Sequence, residues 1–81
     1  MAKLRILSHQ GDTTVEWDTS KAAVGDREAL DAVREAERIF EEHKAKGATA
    51  FKVLPGKPAE QLKRFDKTAE QIVIVPRVAG G

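Results

Sequence analysis

The sequence predicts an α+β fold, one long helix lying across one mixed β-sheet, and three observations predict it. The stretch "DREALDAVREAERIFEEHKAKG" (Asp26 to Gly47) repeats apolar residues at three- and four-residue steps, the spacing of a helix with one buried face. Short runs rich in branched and aromatic residues stand on both sides of it: "KLRILSH" and "TTVEWD" before, "TAFKVL", "QLKRFD" and "QIVIVP" after. Runs of that kind form strands. Among them only "IVIV" (Ile72 to Val75) is apolar at every position, as a strand buried on both faces has to be.

The elements follow in order. Lys3 to His9 and Thr13 to Asp18 are two strands separated by Gln10-Gly11-Asp12, a glycine-containing hairpin turn. Alternation sets Leu4, Ile6, Val15 and Trp17 inward, and places Leu7 with Arg5 and His9 on the opposite face. Thr19 to Gly25 reads as a linker. The helix then begins at Asp26, a side chain able to cap its first amides, and stops at Gly47 in the C′ position, with Lys44 and Lys46 at the negative end of the dipole. Ala29, Ala32, Val33, Ala36, Ile39, Phe40 and His43 form its inward stripe, widened by Leu30. Arg27, Glu28, Asp31, Arg34, Glu35, Arg38, Glu41 and Glu42 form a solvated face. A third strand runs from Thr49 to Leu54 and is ended by Pro55-Gly56 and Pro58, because proline cannot donate to a ladder. Gln61 to Asp66 is a short fourth strand, and Gln71 to Pro76 the last. The sheet therefore has four or five strands.

A hairpin, a long helix and a return to strands is the opening of the β-grasp. In that topology the first and last strands pair in parallel at the centre of the sheet, where "IVIV" belongs. Residues 1–76 make the domain and residues 77–81 a flexible C-terminal Gly-Gly tail.

Composition removes several function classes. Fourteen basic and thirteen acidic side chains leave a formal charge of +1, too little field to hold nucleic acid or an acidic membrane. Cysteine is absent, and with it disulfides, thiolate catalysis and sulfur metal sites. "MAKLRILSHQ" has no apolar leader segment and no run reaches the roughly 18 apolar residues of a membrane span, so a soluble, cytoplasmic protein is expected. His9 and His43 have no third ligand at a metal-binding spacing. Trp17 reads as a partly buried lid on a small core. No glycine-rich loop precedes a helix in a phosphate-binding pattern.

The element order and the ending "PRVAGG" resemble the ubiquitin-like superfamily, which includes prokaryotic ubiquitin-like modifiers and the sulfur carriers typified by the small subunit of molybdopterin synthase. "VAGG" is similar to the sulfur-carrier ending, whereas Arg77 stands where ubiquitin tails carry an arginine. The middle departs from that sulfur carrier: "EAERIFEEHKAKGATAFKVLPG" runs from helix directly into strand, without a second helical stretch. The resemblance implies a substrate and carrier, not an enzyme, with no bound cofactor. An E1-like adenylating enzyme would use ATP and magnesium to activate Gly81. In a modifier, an E2-like protein would pass the acyl group to a target nucleophile and a deconjugating protease would reverse the step. In a sulfur carrier, Gly81 would become a thiocarboxylate. Such a carboxylate must thread a narrow channel, where a Cβ would obstruct it and glycine does not, so Gly80 and Gly81 carry activation. Arg77 and Val78 would meet the partner at the channel mouth. Val73, Val75 and Leu7, on the sheet face turned away from the helix, form the expected docking patch. The contrasting possibility is a β-grasp interaction module that is never conjugated. Eight lysines, Lys52 and Lys63 among them, are candidate acceptors for self-conjugation.

Overall fold

The computed structural model describes residues 1–8 and 11–77. Its elements are β1 (Ala2–Ile6), β2 (Thr13–Trp17), α1 (Thr19–Ala23), α2 (Arg27–Ala45), β3 (Thr49–Lys52), β4 (Glu60–Leu62) and β5 (Gln71–Val75). The strands form one five-stranded mixed sheet in the order β2-β1-β5-β3-β4, and α2 packs on one face. β5 is central and parallel to β1, with Leu4 opposite Ile72, Arg5 opposite Val73 and Ile6 opposite Ile74. On its other side β5 runs antiparallel to β3. This is a β-grasp-like arrangement, with the last strand where its continuous apolar run places it.

Both signals that delimit α2 act as expected. Asp26 accepts from the Ala29 amide at 3.1 Å. At the other end the Ala48 amide donates to the His43 carbonyl at 2.9 Å and the Gly47 amide to the Lys44 carbonyl at 3.0 Å. That bond pair needs a left-handed C′ residue, and Gly47 has φ +92°. The core lies between α2 and the sheet: Ala2, Leu4, Ile6 and Trp17 from the hairpin, Ala36 and Phe40 from the helix, Ala50, Ile72 and Ile74 from the remaining strands. Val15 and Val33, expected deep in this set, are half-buried at its margin.

Four expectations are corrected. The linker between β2 and α2 contains α1, whose first amides, Ser20 and Lys21, donate to Asp18 at 2.9 and 3.1 Å. It buries none of its residues and spans barely more than one turn, so it has no amphipathic period to read. The fourth strand is Glu60–Leu62 and not Gln61 to Asp66. After Leu62 the chain leaves the ladder because Phe65 turns into the core, its ring 5.9 Å from Trp17 and 5.7 Å from Phe40 between centroids. Trp17 is accordingly no lid. It is 1% exposed, the largest side chain of the core, with Phe65 against it. The third strand also ends early, at Lys52.

Candidate functional site

The site is built on β5. Pleating sends Ile72 and Ile74 into the core and leaves Val73 half-buried and Val75 39% exposed on the other face. Register fixes their neighbours. Val73 stands between Arg5 of β1 and Phe51 of β3, and Val75 lies opposite Thr49. The Leu7 amide donates to the Ile74 carbonyl at 3.0 Å, which carries the parallel ladder one residue past β1. Val73 and Val75 thus form a strip on the sheet face turned away from α2, and Leu7 stands one residue past β1 at the same end of the sheet as Val75. Trp17 and Phe65 pack on the helix side and so do not fold over this strip. Phe51 completes the strip and was not singled out from the sequence. The signal was present, because setting Ala50 inward turns Phe51 outward with Val73.

The strip has one charged border. Arg5 Nε donates to Asp12 Oδ2 at 2.8 Å, and a second guanidinium nitrogen donates to the same oxygen. This ties β1 to the hairpin turn. Lys3 faces Glu16 across the β1–β2 ladder.

At the end of the sheet where β5 finishes, Pro76 and Arg77 enter a groove between the strand ends and the C-terminal half of α2. Leu7, Ile39, His43 and Val75 line it. Arg38 lies along its rim and bridges two carboxylates on the helix, at 2.6 Å to Glu35 and 3.0 Å to Glu42. The hydrogen bond from Arg38 holds the Glu35 carboxyl below the usual range, and the same contact raises the Arg38 guanidinium. The Arg77 side chain runs back over the end of α2. A Cβ placed on Gly47 would lie 3.3 Å from Arg77 Cδ. A guanidinium there meets the negative end of the helix dipole. His43 borders the groove half-buried, and among the described residues no group of three or more His, Asp or Glu gathers as metal ligands. Val78, Gly80 and Gly81 lie outside the described residues. No helix among the described residues is long and apolar enough to cross a membrane.

Compared with family models, with curated proteins and with solved structures, the chain finds no match.

Proposed function

We propose that this chain is a cytoplasmic ubiquitin-like modifier, activated as the acyl-adenylate of its Gly81 carboxylate by an E1-like enzyme and transferred to a target nucleophile. The observation that carries this reading is the position of β5. It is the central strand of a β-grasp-like sheet, and it hands Pro76 and Arg77 out at one end of the domain, four residues before Gly81. A rigid body with an apolar strip, whose central strand leads into a glycine-ended sequence, has what a carried group requires. The strip docks the activating enzyme, and the segment reaches into its nucleotide site. Activation joins the carboxylate oxygen to the ATP α-phosphorus and releases pyrophosphate; a thiol or amine then attacks the carbonyl and AMP leaves. In this reading every catalytic group belongs to the partner, and magnesium and ATP are the partner's ligands.

The ending "VAGG" favours a second reading, a sulfur carrier in which sulfide attacks the adenylate. Intact mass spectrometry of the chain with ATP, magnesium and an E1-like enzyme tests both. A covalent adduct to enzyme or E2-like protein through Gly81 supports the modifier, and replacement of one carboxyl oxygen by sulfur supports the carrier. Deleting Gly81 or replacing Gly80 with valine should abolish either product while the melting temperature stays unchanged. Adducts that persist in the deletion variant would refute both and leave an unconjugated interaction module.

A further inference from the structure

The charge of the chain is unevenly placed. Residues 52–67 hold five cations, Lys52, Lys57, Lys63, Arg64 and Lys67, against Glu60 and Asp66, an excess of three in a chain whose formal charge is +1. Lys52 is matched by Asp66 at 3.4 Å. Among the described residues Lys63, Arg64 and Lys67 form no ion pair, and all three are exposed. They rim a pocket between α2 and the segment after β4 whose floor is Val33, Leu62 and Phe65, with Glu37 on the helix side. The floor residues are half-buried, leaving apolar surface accessible at the centre of the cationic rim.

The segment is held in place. Asp66 accepts from the Thr68 hydroxyl at 2.5 Å and the Thr68 amide at 2.9 Å, as well as from Lys52. The Lys44 ammonium donates to the Leu62 carbonyl at 3.4 Å. Phe65 is fixed against Trp17 and Phe40. The three cations therefore project from a pre-arranged loop, which lowers the ordering cost of binding.

We propose that this pocket binds an acidic peptide segment of a partner protein. One apolar side chain enters the Val33, Leu62 and Phe65 floor, and flanking carboxylates meet Lys63, Arg64 and Lys67. Charge complementarity selects the occupant, and the floor selects a peptide over a nucleic acid. Three cations around a small apolar centre give no track for a phosphate backbone, and Phe65 is already committed to two rings. The site is separate from the tail and from the strip on the opposite sheet face, so it does not depend on the carrier reading.

Selection from a random peptide display library on the wild-type chain and on the triple variant Lys63→Glu, Arg64→Glu, Lys67→Glu tests it. The substituted side chains are exposed, and unchanged melting of the variant verifies its fold. The wild type should enrich peptides with Asp or Glu flanking a Leu, Ile, Val or Phe. The triple variant should lose them and bind the selected peptide about tenfold or more weakly, while Glu37→Lys should tighten that binding. Because Phe65 touches Trp17, the only tryptophan, the selected peptide should also shift tryptophan emission. The proposal is overturned by absence of enrichment, by a neutral or basic consensus, or by recovery of the same peptides on the triple variant. It is equally overturned if a labelled oligonucleotide binds through these three side chains more tightly than the selected peptide.

Discussion

Gly47 carries two separable constraints, and replacing it with alanine measures both. The first is backbone: at φ +92° an alanine is held in the left-handed region, at a cost of about 1–2 kcal/mol. The second is contact: the new Cβ would stand 3.3 Å from Arg77 Cδ, tighter than an ordinary carbon contact, so the Arg77 side chain has to shift by a few tenths of an ångström. A side chain pushed off its rotamer for such a shift adds about 0.5–1 kcal/mol. Gly56 separates the two. It has φ +69° with no atom within 4 Å of its would-be Cβ, and it sits in a Pro-Gly turn closed by the Lys57 amide on the Leu54 carbonyl at 3.2 Å. Gly56→Ala therefore reports the backbone term alone. Urea unfolding followed by the emission of buried Trp17 should show Gly47→Ala costing more than Gly56→Ala by that contact term. In an Arg77→Ala background the excess should vanish. Thermal midpoints should follow at about 4–8 °C per kcal/mol for a domain of this size. Equal costs in the wild-type background, or an excess that survives removal of the Arg77 side chain, would refute the argument that Arg77 lies against the helix end.

Phe40→Ala removes a fully buried ring that meets Phe65 edge-on, and should cost about 3–5 kcal/mol in the same urea assay. Val73→Asp places a charge on the strip facing away from α2. It should leave the melting midpoint nearly unchanged while weakening any partner that docks there, and a large stability loss instead would make Val73 a core residue. Asp66 is held below the ordinary aspartate value of 3.8 by the Thr68 hydroxyl first, with the Thr68 amide and Lys52 also contributing. A carboxyl with a depressed folded pKa contributes stability that is present above the unfolded pKa and is lost as pH falls through the folded one. Asp66→Asn should therefore lower stability at neutral pH and reduce its fall as the pH drops below the ordinary aspartate value of 3.8, as read from urea titrations at acid pH.

Local chemistry explains what was legible in the sequence. Asp26 and Gly47 each state a helix end through one hydrogen-bonding requirement, so the bounds of α2 could be read without knowing what it packs against. "IVIV" likewise announced the central strand, although only one of its faces is covered, and alternation along it set Val73 and Val75 on the open side. Long-range partners explain what was not. Phe65 leaves the fourth strand because Trp17 and Phe40 offer it a place in the core, a choice made by residues far away in the chain. α1 is little more than one turn, signalled in the sequence by the cap of Asp18, which no periodicity accompanies. Arg77 lies over Gly47 through a contact between residues thirty positions apart in number, so its place at the helix end is a tertiary fact.

The sheet order also governs how the domain comes into being on the ribosome. β1 pairs with β2 and β3 with β4, but no ladder joins these two hairpins directly; both are bridged by β5. The bridging strand is the last of the five in chain order. Until residues 71–75 have cleared the exit tunnel, the nascent chain holds two short ribbons and a helix whose apolar stripe has no continuous sheet to cover, and isolated ribbons of that size are marginal in water. The sheet therefore closes only once residues 71–75 are available, and a chain truncated before Gln71 lacks the strand that joins its two ribbons and exposes them to proteolysis.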